Sequence, residues 1–131
     1  MLKNIALLFF ILFSIHTFSQ KKDITLNDVN GLWSGVNNEN FKNNQLIIAQ
    51  DRSKIIITHY LEYKGISMIE YGIGTIKGDD VAYDVIVTKA IPGWALKGKH
   101  ILKLNKTKDS LIGIYDAGKG NTGEIVFKRL K

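Results

Sequence analysis

The chain has 131 residues and a formal net charge of +6, enough for one modest domain with a weak attraction to anionic surfaces. It contains no cysteine, which excludes a lipoprotein anchor, disulfide staples, thiolate metal sites and a cysteine nucleophile.

Residues 1–19 open with Lys3, run apolar from Ile5 to Ile15 with one Ser, and end on Thr17-Phe18-Ser19, small residues at −3 and −1 of a cut. This pattern predicts a secretory signal peptide cleaved before Gln20. The run is shorter than the roughly 20 apolar residues that span a bilayer, so no transmembrane segment is expected and the product is exported, periplasmic or secreted. Residues 20–30 form a polar leader, and 31–131 a single β-domain.

From Gly31 onward short β-rich runs are separated by Gly, Asp, Asn and Ser, with no helical stripe between them. Strands are predicted at 31–37, 44–50, 54–63, 66–77, 81–91, 95–105, 110–116 and 122–130. Asp51-Arg52-Ser53, Gly78-Asp79-Asp80 and Lys106 to Asp109 read as hairpin turns, and Pro92-Gly93 as the centre of a type II turn. Gly118 to Asn121 reads as a looser tip. Asn37 to Asn44 is the most polar loop and the expected lid or rim.

Alternation assigns faces. Val81, Tyr83, Val85 and Val87 share the inward side, as do His100, Leu102 and Leu104, and Ile125, Phe127 and Arg129. The run 66–77 resists assignment because Gly72 and Gly74 interrupt it, and a bend or bulge is expected there. Eight short strands at hairpin spacing predict an all-β, antiparallel up-and-down β-barrel, with a β-sandwich as the alternative. At that strand number the interior is filled or holds one small ligand.

Trp33 lies on the first strand and Arg129 on the last, and closure would bring the guanidinium over the indole, a contact of about 0.5–2 kcal/mol that plugs one end. Gly31, Trp33 and Arg129 in this order resemble the lipocalin-like, or calycin, superfamily of small barrels. The chain departs from true lipocalins in being shorter and in lacking their C-terminal helix and cysteines. The resemblance implies a fold associated with binding hydrophobic small molecules or with inhibiting a partner protein.

His59 and His100 remain after the signal and share the inward face. They are too few for a zinc site, which wants three protein ligands, and Glu62 and Glu70 fall on the opposite or an ambiguous face. No metal and no cofactor is expected: there is no Gly-x-Ser-x-Gly elbow, Walker loop or dinucleotide fingerprint. Asp79 and Asp80 read as turn caps. Lys97, Lys99 and Lys103 share an outer stripe that would suit an anionic surface. Aromatics do not interleave with these lysines, which argues against nucleic acid.

These observations lead to an exported, non-catalytic barrel binding an apolar or amphipathic small ligand, with His59, Tyr71, Tyr83, Trp94 and His100 as the expected lining. Tyr60, Tyr63 and Tyr115 are further candidates for the mouth. The second reading is an interaction, inhibitor or envelope-associated protein that turns its basic face to a macromolecule. An enzyme using Glu62, Glu70 or Asp84 with a histidine is the third.

Overall fold

The computed structural model describes residues 29–51 and 54–131. The expected signal peptide, residues 20–28 of the leader, and Arg52 and Ser53 of the first hairpin turn lie outside the described residues. Eight strands follow in order: β1 Gly31–Gly35, β2 Phe41–Asp51, β3 Lys54–Tyr63, β4 Ile66–Lys77, β5 Asp80–Lys89, β6 Lys97–Leu104, β7 Ser110–Asp116 and β8 Thr122–Arg129. Each pairs antiparallel with the next, and β1 also pairs with β8, so the sheet is a closed up-and-down barrel. Closure removes the sheet edges and excludes the sandwich.

Closure rests on the predicted pair. Trp33 and Arg129 are register partners across β1 and β8, and the guanidinium carbon lies 4.2 Å from the indole ring centroid. Trp33 Nε1 donates to Val29 O at 3.0 Å, and Arg129 donates to Asn30 O at 2.7 Å and Lys108 O at 2.8 Å. The barrel base is thus sealed by side chains that also satisfy loop carbonyls.

Local chemistry sets the turns. Lys64 and Gly65 both have positive φ, the two-residue turn whose twist matches that of its flanking strands. Gly93 has φ +82° and Trp94 N donates to Ile91 O at 3.1 Å, the type II geometry expected of Pro92-Gly93.

One boundary and one bulge correct the sequence reading. β2 begins at Phe41, three residues inside the run expected to be loop, because Phe41 packs on Tyr63 and Trp94 and draws that run into the sheet. Asn43 takes a left-handed φ of +50° where the register slips between Lys42 and Gln45. The register slips opposite Ile69 and Glu70 rather than at the glycines, and the extra residue is Thr88 on β5. Gly72 and Gly74 stay in register as inward positions, and Gly74 leaves room for its partner Tyr83.

The interior is layered. A large apolar cluster, including Trp33, Leu46, Ile55, Ile57, Val81, Tyr83, Leu102, Leu111 and Phe127, fills the base. A smaller one, Leu61, Met68 and Val87 with Phe41, Tyr63 and Trp94 against it, lies toward the other end. Buried polar side chains separate them.

Candidate functional site

The polar layer is assembled by strand register. His59 on β3 faces inward between Ile57 and Leu61, and Glu70 is its direct partner on β4. Nδ1 of His59 lies 2.6 Å from Oε1 of Glu70, and Nε2 lies 2.6 Å from Oδ1 of Asn44 on β2. The ring is committed on both sides and offers no free nitrogen. Asn44 reaches it only because the slip at Asn43 turns its side chain inward and because Gly35 on β1 has none. A Cβ at Gly35 would overlap the Asn44 amide.

Across the barrel, His100 on β6 is the register partner of Tyr83 on β5, and its Nδ1 lies 3.0 Å from the Tyr83 hydroxyl. Burial, with the Glu70 charge adding to it, pushes the Tyr83 phenol well above its ordinary range, so it keeps its proton and donates to Nδ1. The His100 proton therefore sits on Nε2, facing Glu70. Burial lowers His100 to about 4, with the His59 charge acting the same way and Glu70 opposing, so the ring is neutral at physiological pH. For Glu70, burial alone would raise the carboxyl, but the hydrogen bond and charge of His59, helped by His100, hold it below its ordinary range. Glu70 is an ionised carboxylate, 4% exposed.

Above this layer the barrel is open. A cavity of about 740 Å³ is lined by Asn44, His59, Glu70 and His100 at its floor, by Leu61, Met68, Val85 and Val87 on its wall, and by Phe41, Tyr63, Trp94 and Tyr115 nearer the mouth. Inward positions on β6 and β8 at this level are Gly98 and Gly123; Gly98 supplies no side chain to the cavity, and the Tyr115 ring takes the place that a Gly123 side chain would fill. Tyr115 lies over Gly123 and covers its exposed backbone.

Three atoms of the floor have unspent hydrogen-bonding capacity. Among the described residues, neither Oε2 of Glu70 nor Nε2 of His100 makes a hydrogen bond, and Nε2 is 3.8 Å from Oε1, too far for one. The amide nitrogen of Asn44 is likewise unspent. Among the described residues no buried polar side-chain atom is left without a partner, so each of these three has surface open to the cavity.

The expected lining divides accordingly. His59, His100 and Trp94 line the cavity. Tyr71 does not: it points outward, 43% exposed, in register with Thr58 and Ile86 on the outer wall. Tyr83 lies beneath the floor, fully enclosed, and orients His100. Tyr60 is also outward and bonds Glu62. Glu70, named from sequence only as a candidate for the enzyme reading, and Asn44, not named as a site residue, both belong to the floor.

The lysine stripe is broken by acids. Lys103 Nζ lies 3.4 Å from Asp79 and 3.1 Å from Asp80, which therefore hold this lysine rather than serving only as turn caps. Lys99 is flanked in register by Asp84 and Asp116, and Lys97 stands at the cavity rim. A smaller outer depression of about 210 Å³ over Gly74, Thr75 and Ala82 contains no free buried polar group.

Among the described residues no helix is long and apolar enough to cross a membrane, and no three His, Cys, Asp or Glu side chains are arranged to hold a metal ion. No protein-family model matches the chain, and neither does any curated protein.

Proposed function

We propose that this barrel binds one amphipathic small molecule in its cavity, without altering it. The observation that carries the reading is the open cavity over a buried polar floor whose hydrogen-bonding capacity is only partly used. Its volume falls within the range of small-molecule sites, and a few convergent polar groups on apolar walls are what such sites use to orient a ligand. The head of the ligand would rest on Glu70, His100 and Asn44, and its apolar body among Leu61, Met68, Val87, Phe41 and Trp94. Both nitrogens of His59 and Nδ1 of His100 are occupied within the protein, which suits holding a ligand rather than shuttling protons.

The resemblance of the Gly31, Trp33 and Arg129 arrangement to lipocalin-like barrels supports the same reading. Export is part of the proposal and rests on residues 1–19; protein recovered from its host should have an intact mass beginning at Gln20. The reading in which a basic face meets a macromolecule is less favoured, because Lys103 and Lys99 are matched by acids.

Calorimetric titration with 1-decanol tests the binding. The wild type should bind it saturably, whereas Val87→Phe, which fills the wall of the cavity, should retain a cooperative melt and lose the binding heat. Equal binding by both proteins, or none by the wild type, would overturn the reading.

A further inference from the structure

We infer that the cavity selects an uncharged head group that both donates and accepts a hydrogen bond, an alcohol or a primary amide, and rejects carboxylates. This inference rests on the binding reading above and specifies its ligand class.

The selectivity follows from the three unspent atoms. Oε2 of Glu70 can only accept, while Nε2–H of His100 and the amide nitrogen of Asn44 donate. A hydroxyl placed between them donates to Oε2 and accepts from Nε2–H. A primary amide does the same with its nitrogen and oxygen, and its oxygen has a second donor in Asn44. The gap of 3.8 Å between Nε2 and Oε1 leaves His100 without an internal acceptor, so such a head completes the layer instead of competing with it.

Charged heads do worse on the same atoms. A carboxylate accepts from His100 and Asn44, but His59, donating to both Glu70 and Asn44, already matches the Glu70 charge, so the carboxylate adds an unmatched negative charge to a site shielded from water. No arginine or lysine of the described residues lines the floor, and the only lysine at the cavity, Lys97, is at the rim. An ammonium donates to Oε2 but leaves both donors without an acceptor, and because His59 already matches Glu70 it adds an unmatched positive charge. A methyl ester has acceptors but no proton for Oε2, leaving a desolvated carboxylate oxygen unpaired.

The test is a calorimetric series at about pH 7.5 with five ten-carbon probes: 1-decanol, decanamide, decanoate, decylammonium and methyl decanoate. Decanol and decanamide should bind at least about tenfold more tightly than the other three, a gap of about 1.4 kcal/mol. Glu70→Gln should strengthen decanoate binding and shrink its gap from decanol to under about threefold. If that variant fails to fold, the wild-type series decides alone. Decanoate or methyl decanoate binding as tightly as decanol would overturn the selectivity while leaving the binding reading intact. Failure of all five to bind would overturn both.

Discussion

Gly35 shows how one residue governs the floor: the space where its Cβ would stand is filled by the Asn44 amide, which in turn holds His59. Gly35→Ala should expel Asn44, leave a buried ring nitrogen without its partner, and cost about 1–3 kcal/mol in urea unfolding. Decanol affinity should fall with it, since the amide donor is displaced. A stability unchanged from wild type would show that Asn44 is not fixed there. His100 gives a second prediction at this scale. Its folded value of about 4 lies below the 6.5 of an ordinary imidazole, so between these values the unfolded chain binds a proton that the folded chain refuses. Stability should therefore fall as pH drops from about 6.5 to about 4, by roughly 3 kcal/mol at most. Glu70 is lowered from 4.5, so its contribution is present above that value and is lost as pH falls further, through its folded value. Urea midpoints at several pH values check both, and His100→Gln should flatten the upper part of the decline. The inward placement of His59, His100 and Tyr83 is legible from strand parity. The role of Tyr83 is not, because parity says that a side chain points inward but not at what height it stops.

At the scale of elements, the β3–β4 hairpin carries the most information that the sequence already contained. Lys64-Gly65 fixes a two-residue turn, and His59 and Glu70 are equally distant from it, so the turn alone makes them register partners. The glycines of β4 concealed this: Gly72 and Gly74 suggested a break, yet they continue the inward face and so place Glu70 inside. Asn is better suited than Lys to the left-handed conformation at the first turn position. Lys64→Asn should accordingly raise the stability by about 0.5 kcal/mol, whereas Gly65→Ala should lower it by about 1 kcal/mol, both read from thermal melts. An opposite order would mean that the turn does not set the register. The start of β2 was less legible. Asn37 to Asn44 is polar throughout except for Phe41, and only the aromatic contacts of Phe41 with Tyr63 and Trp94, which join distant segments, show why it pairs.

For the whole molecule, eight strands and their order were written in the alternation and the turns, and the Trp33–Arg129 pair identified where the sheet closes. What the interior holds was not. A filled barrel and a hollow one share the same inward pattern, and the difference lies in how the inward side chains of strands far apart in sequence fill each level, as Tyr115 does over Gly123 while Gly98 adds nothing. Here a hydrogen-bonding floor lies beneath an aromatic upper wall of Phe41, Tyr63 and Trp94, with Asn38, Asn40, Lys97 and Asn121 also at the cavity. The most direct measurement of that claim is the set of nuclear Overhauser contacts from bound 1-decanol. The account predicts that the protons beside the hydroxyl contact His100 and Asn44 while the terminal methyl contacts Phe41 and Trp94; a reversed molecule, or one with no contact to any of these residues, would contradict it.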